Sequence, residues 1–281
     1  MADGADLISV VIPVYNAAEE LAHCLDSVLA TVSGGAEVIV IDDASPDEAT
    51  RLLLRRWRSS APPGWTFLAH AENRGFVATA NAGMRATAND VVLLNSDTVV
   101  TPGWLQGLQK CLATDPLIAT ATPWTNNGEI ASIPQFCQVN PVPPDPSAVA
   151  EVIARAGIPV YPSMPTAVGF CMAVSRRAIE NVGLFDEKLF GKGYGEENDF
   201  SMRVIAAGMR NVLCDDVYVV HLGGRSFGPA GLKPDEFSMQ RLLSRHPGYL
   251  QQVQAFIAAD PLSDRRAVIL DALKQAGVRL G

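Results

Sequence analysis

Val91-Val92-Leu93-Leu94-Asn95-Ser96-Asp97 is a short apolar run that ends abruptly in a carboxylate. A continuous apolar run of this length reads as a strand buried on both faces. In open α/β sheets, ligands gather beyond the carboxyl ends of such strands. A second acidic group, Glu196-Glu197-Asn198-Asp199, and a lone His221 behind another β-branched run fit the same picture. Together they point to a hard, oxygen-ligated cation holding a phosphate substrate.

Working outward from Asp97, the N-terminal half alternates strand and helix. Leu7 to Val14 and Glu37 to Ile41 read as buried strands, and the second ends in Asp42-Asp43. Between them Leu21, Cys24, Leu25, Val28, Leu29 and Val32 recur at helical spacing. Ser45-Pro46 is expected to cap the next helix, with Pro46 at its first position. A strand near Trp65 to Ala69, a helix through about Ala88 and a helix capped by Thr101-Pro102 follow. Repeated βα units predict a parallel, doubly wound sheet. Residues 122–148 carry six prolines and read as an irregular connection. Beyond them the pattern predicts a strand from Ala167 to Val174, helices from Ser175 to Val182 and from Asn198 to Ala207, and a strand from Val217 to Val220. Helices broken at Pro247 and Pro261 close the chain.

Composition narrows the partners. The 281 residues are 48% hydrophobic and 19% charged, as in a globular protein of one large domain or two small ones. No apolar run reaches the ~18 residues that span a bilayer, and the N-terminus has no basic segment of a signal peptide. Five scattered cysteines without a CxxC pair argue against a disulfide framework or a zinc site, and for a reducing cytoplasm. The net charge of −8 disfavours nucleic acid. An acidic protein that binds a diphosphate can neutralise it with a carboxylate-held divalent cation.

Seven blocks occur in order: VVIPVYN (10–16), VIVIDDAS (38–45), ENRGFVATANAGM (72–84), LLNSDT (93–98), GFCMAVSRRAIENVGLFDE (169–187), GYGEENDFSMR (193–203) and VYVVHLGG (217–224). In order and spacing they resemble family-2 inverting glycosyltransferases, and among these the bacterial rhamnosyltransferase-like subgroup that builds surface polysaccharides such as O-antigen. The resemblance covers about residues 7–228. It implies the GT-A fold: an α/β, doubly wound, mixed but mostly parallel sheet flanked by helices. Residues 1–228 would form that domain, with a nucleotide-binding half at about 1–121 and an acceptor and catalytic half at about 122–228. Residues 229–281 would form a C-terminal helical extension.

The resemblance also implies roles. Asp43 matches the carboxylate that accepts from the base or ribose of the donor, a task suited to an acceptor-only group. Pro13 and Tyr15 stand where the family flanks or stacks the base. Asn73, Arg74 and Gly75 precede a helix that would present Asn81 to the donor, with Arg74 placed to pair with phosphate. Asn95-Ser96-Asp97 matches the DxD-type motif, with Asn95 in place of its first Asp and its carbonyl still able to bind a sugar or ribose hydroxyl. Asp97 and His221 would ligate Mn²⁺ or Mg²⁺. Glu197 corresponds to the catalytic base, where the family usually has Asp, so the division of roles between Glu196 and Glu197 stays open. Asp199 would orient the acceptor or the base. The GxGxG before these acids is no dinucleotide fingerprint, because it does not follow a strand. On the acceptor side, Trp124, Asn126 and Asn127 offer an aromatic face with polar groups, and Asp186 is a further candidate.

The expected partners are a dTDP-rhamnose or UDP-sugar donor and a glycan acceptor, which such pathways often carry on a lipid. Peripheral membrane association at the inner face of the plasma membrane, and fusion to or complex with other glycosyltransferases, belong to the same expectation. Two other readings stay open here: a catalytically inactive sugar-nucleotide-binding module, and a nucleotidyltransferase. The latter usually carries a basic Gly-rich loop after the first strand, which IPVYNAAEE lacks.

Overall fold

The computed structural model describes residues 7–32, 36–223 and 236–281, with the backbone alone at 236. In chain order its elements are β1 (Ile8–Val14), α1 (Ala18–Thr31), β2 (Glu37–Asp42), α2 (Glu48–Ser59), β3 (Trp65–Ala69), α3 (Phe76–Ala86), β4 (Asp90–Leu94), β5 (Thr98–Val100), α4 (Trp104–Thr114) and β6 (Ile118–Trp124). A 3-10 turn at Glu129–Ala131 leads to α5 (Pro146–Arg155), β7 (Ser163–Met164), β8 (Cys171–Val174), α6 (Arg176–Val182), α7 (Glu187–Phe190), α8 (Glu196–Ala206) and β9 (Arg210–His221). Three helices close the chain: α9 (Glu236–Arg245), α10 (Tyr249–Ala259) and α11 (Ser263–Gln275).

The strands run in the order β3-β2-β1-β4-β8-β6-β9-β5, with β7 pairing to β9. β3, β2, β1 and β4 are mutually parallel, β8 is antiparallel to both β4 and β6, and β6 is parallel to β9. The expected mixed, mostly parallel sheet is therefore present. Its first strands are apolar without alternation because both faces are covered. Val10, Ile12, Val38 and Val40 enter one core cluster, while Val11, Ile39 and Ile41 enter the cluster on the opposite face. β9 shifts register against β6 between Cys214 and Tyr218, and its far end turns to pair with β5 at Thr98–His221. That second pairing brings His221 beside the end of β4.

Several local expectations are corrected. Asp47, not Ser45, caps α2, its carboxylate accepting from the Thr50 backbone N–H at 2.8 Å. Ser45 instead accepts from the Asn16 N–H at 2.9 Å, so Pro46 lies outside the helix. Gly103 rather than Thr101 caps α4, because the Thr101 hydroxyl is spent on the Tyr218 carbonyl. The strand expected from Ala167 begins only at Cys171. Upstream, Ala167 N–H donates to Ser201 Oγ and Val168 N–H to Thr122 Oγ1, so side chains replace the ladder there. The irregular connection takes in the end of β6, the 3-10 turn and the start of α5, the last opened by Asp145 and Pro146.

The C-terminal helices belong to the core. Leu242 and Tyr249 pack with Phe185 and Phe200, and Leu262, Ile269 and Leu273 pack with Trp124 and Ile153. Arg265 on α11 pairs with the buried Asp215 of β9 at 2.6 Å.

Candidate active site

The chain leaves the ends of β1 and β2 in unusual backbone. Asn16, Ala17 and Ala44 hold φ near +60°, a region that non-glycine residues rarely occupy and that is concentrated at functional sites. Pro13 lies in β1 opposite Ile41, and Tyr15 stands half-buried just beyond. Asp43, buried beyond β2, accepts from the backbone N–H groups of Arg74 and Gly75 at 2.8 Å each, and its Oδ1 lies 2.9 Å from His70 Nδ1. The carboxylate thus shapes the loop that carries Asn73, Arg74 and Gly75. Gly75 has φ +84, and a Cβ there would sit 2.6 Å from the Lys192 Cα. Only glycine allows this contact, which joins the Asp43 loop to the segment leading into α8.

Asn81 is not turned toward that loop. Its amide donates to the Phe185 carbonyl and Glu187 and accepts from the Phe185 N–H, so it splices α3 to α7. Arg74 is half-exposed and lies 3.8 Å from Glu187.

At the end of β4, Asn95 N–H donates to the Phe170 carbonyl, and Ser96 and Asp97 are buried. Asp97 Oδ1 is buried without a hydrogen-bond donor among the described residues and lies 3.5 Å from His221 Nε2. The other ring nitrogen, Nδ1, is 2.5 Å from the Asn127 carbonyl. Only a donor makes that contact, so in the neutral ring Nε2 turns its lone pair to the Asp97 oxygen. Burial opposes the imidazolium, but the Asp97 carboxylate and the Asn127 carbonyl outweigh it and hold His221 above its ordinary pKa. The imidazolium would donate from Nε2 to Asp97, whereas the neutral ring would leave two acceptors facing each other; Asp97 and His221 are residue types that would then hold a divalent cation. Among the described residues no three His, Cys, Asp or Glu side chains gather as a complete cage.

Phe170 stacks on His221, with ring centroids 5.2 Å apart. Its neighbour Gly169 lies against Glu197, whose Cγ would be 3.8 Å from a Cβ built there. Asp97 thus connects to Glu197 through His221, Phe170 and Gly169, and the Asp43 loop meets Lys192 on the segment leading into α8.

Glu196 and Glu197 open α8, which begins two residues earlier than expected because Gly195, at φ +99, caps it. A helix N-terminus favours anions, yet burial outweighs it at both acids. Burial first, then the Glu197 charge, raises Glu196 well above the ordinary carboxylate range, and Glu196 Oε2 has no hydrogen-bond partner among the described residues. Burial also raises Glu197, with a further contribution from Glu129. Asp199 points elsewhere. Wholly buried, it binds Arg203 at 2.8 Å, Arg245 at 3.0 Å and His246 at 2.8 Å. It ties α8 to the C-terminal helices instead of orienting an acceptor.

The acceptor candidates are largely architectural. Trp124 is buried within β6 in a core cluster. Asn126 exchanges hydrogen bonds with the His221 backbone, and Asp186 caps α7 and pairs with Arg245 at 2.7 Å. Asn127 serves through its carbonyl. Sequence reading missed His70, Phe170 and Asn198. Phe170 lay beside Gly169 and Asn198 between Glu197 and Asp199 in quoted blocks, whereas nothing local marked His70.

The chain matches the family described as Glycosyl transferase family 2 over residues 9–183, well over half its length. It belongs to that family. An uncharacterized glycosyltransferase of Nostoc sp. is 32% identical over 112 residues, 40% of this chain and 34% of that protein. This chain thus spans about a third of that relative's length. The structure of GalNAc-T7 with UDP, GalNAc and Mn²⁺ superimposes with a TM-score of 0.66 at 17% identity, covering 96% of this chain and 55% of the other. The mannosyltransferase PcManGT of Pyrobaculum calidifontis, in complex with GDP-Man and Mn²⁺, gives 0.58 at 19% identity, covering 96% and 74%. These likenesses establish the GT-A fold for this family-2 glycosyltransferase chain. Gly224 of the last sequence block, and the boundary expected near residue 228, lie outside the described residues.

Proposed function

We propose that the protein is a metal-dependent inverting glycosyltransferase that moves a sugar from a nucleotide-diphosphate donor to a glycan hydroxyl. The carrying observation is Asp97 Oδ1, buried without a donor among the described residues and facing His221 Nε2 at 3.5 Å. Complexes of two structural neighbours contain Mn²⁺ with a nucleotide or nucleotide sugar, which supports the same chemistry here. Asp97 and His221 would hold the ion, leaving its other positions to water and the donor phosphates. When bound, it supplies positive charge to the departing diphosphate.

The protein's own groups do the rest. Residues 1–121 would hold the nucleotide, with Asp43 keeping the Arg74–Gly75 loop in place beside the base and ribose. Residues 122–228 would supply the acceptor face. Glu197 takes the proton of the acceptor hydroxyl as that oxygen bonds to the anomeric carbon. The bond from that carbon to the diphosphate oxygen breaks with its electron pair, and the nucleotide diphosphate leaves from the opposite face. A base with a raised pKa is suited to this transfer near neutral pH. The family-2 resemblance favours dTDP-rhamnose or a UDP-sugar as donor and a surface-polysaccharide acceptor, often lipid-linked, at the cytoplasmic face of the membrane. No described helix is long and apolar enough to cross a membrane.

The test is release of nucleotide diphosphate from a donor panel with Mn²⁺ or EDTA. Release that needs both Mn²⁺ and acceptor supports the reading. Absence of release from every donor, or release untouched by EDTA, contradicts it.

A further inference from the structure

Glu197 is linked through Asn198 to Tyr249 of the C-terminal helices. Its Oε1 accepts from Asn198 Nδ2 at 3.2 Å. The Asn198 amide is itself held at its oxygen end. Asn198 Oδ1 lies 2.8 Å from the Tyr249 hydroxyl and 2.8 Å from the Thr166 hydroxyl. Tyr249 is the first residue of α10, and both it and Thr166 are buried. Two hydroxyl donors on Oδ1 leave the amide one sensible orientation, because the reverse would set its oxygen against the Glu197 carboxylate.

We propose that Tyr249, with Thr166, is a positioning residue that fixes the Asn198 amide as an N–H donor to the catalytic carboxylate of Glu197. The inference rests on the transferase reading for the word catalytic, but its geometry stands apart from it. The C-terminal helices then complete the site. The Asp199 clamp on Arg245 and His246 sets the start of α10, and with it the Tyr249 hydroxyl, two residues along α8 from Glu197. The backbone N–H groups of Gly195, Glu197 and Asn198 favour the Glu197 charge, whereas burial and several neighbouring groups disfavour it. Glu196 and Tyr194 face it from its own segment, Glu129 from the 3-10 turn and Tyr249 from α10. Burial and these neighbouring acids keep the Tyr249 phenol protonated, so it remains a donor. Against that background, the oriented Asn198 amide adds a side-chain donor to the backbone N–H groups that favour the ionised base.

The experiment is a ¹³C-NMR titration of glutamate side-chain carboxyls, with the Glu197 signal assigned by its loss in Glu197→Gln. Tyr249→Phe keeps the ring and removes only the hydroxyl. It should raise the apparent pKa of Glu197 by about 0.3–1 unit, the size of one lost hydrogen bond. Asn198→Ala should raise it at least as far, and the double variant should go no further than Asn198→Ala alone. In turnover, the acid limb of kcat should move up in pH while the donor KM holds. An unmoved Glu197 titration in Tyr249→Phe, or shifts that add in the double variant, would overturn the proposal. Should Tyr249→Phe fail to fold, Thr166→Val carries the same test from the other hydroxyl. The transferase reading fails separately, by wild-type protein releasing no nucleotide diphosphate.

Discussion

Asp199 offers the sharpest stability prediction, because its position in the motif suggests catalysis and its surroundings show a clamp. Asp199→Asn keeps the volume and removes the charge. Its partners are Arg203, with 21% of its side chain exposed, Arg245 at 38% and His246 at 13%, while Asp199 itself is wholly buried. Breaking a fully buried ion pair by deleting one partner costs about 3–5 kcal/mol. Here Arg245 can lean on Asp186 and solvent, and Arg203 keeps its contacts to the Val182 and Leu184 carbonyls. A loss of about 2–4 kcal/mol is therefore expected, since exposed partners are partly screened. At ~2–4 °C per kcal/mol for a chain of this size, Tm should fall by roughly 4–16 °C.

The assay is thermal and urea unfolding followed by circular dichroism, with donor binding measured on the folded variant at low temperature. Donor Kd should stay close to wild type, because Asp199 faces the C-terminal helices. A Tm within about 1 °C of wild type, combined with lost donor binding, would refute the clamp and return Asp199 to the site.

Glu197→Gln should lower kcat by ~10²–10⁴-fold with donor affinity retained, as expected for a lost general base; near-wild-type turnover would remove Glu197 from that role. Asp97→Ala should weaken Mn²⁺-dependent donor binding by at least about tenfold in calorimetry, and EDTA should abolish the difference from wild type. Glu196→Gln should stabilise the protein in a pH-dependent way. A carboxyl whose folded pKa is raised holds its proton more tightly when folded, so the wild type loses stability as pH climbs from the unfolded value through the raised one. The variant's advantage should be present at pH 8 and vanish below about pH 4. Denaturation midpoints at the two pH values check the sign. Gly75→Ala should destabilise by more than about 1 kcal/mol, from its left-handed backbone and the Lys192 contact.

Much of this was legible from the chain. The runs Val91–Leu94 and Glu37–Ile41 announced buried parallel strands because both faces are covered, and β3 fell where its β-branched and aromatic residues placed it. Strand ends drew attention to Asp97 and His221, the family resemblance supplied their proposed roles, and the structure puts their side chains 3.5 Å apart. What failed was choice among hydrogen-bonding partners. Ser45, Thr101 and Asn81 carry side chains that suit several tasks, and tertiary neighbours decided each one. Asp199 and Asp186 read as site acids because nothing local shows that Arg245, far along the chain, will pair with both. Trp124 read as a sugar platform because an aromatic at a strand end looks alike whether it faces solvent or core. The helix α5 was missed although Asp145-Pro146 opens it in the usual way, since the surrounding prolines masked the signal.

The convergence of Asp97, His221 and Glu197 on one donor site is tested most directly by crystals soaked with Mn²⁺ and a nucleotide diphosphate, read by anomalous scattering. The account predicts a single strong peak between Asp97 Oδ1 and His221 Nε2, with the diphosphate beside it and its outer phosphate turned toward Glu197. A peak elsewhere, or a diphosphate seated on a face that Glu197 does not reach, would contradict it.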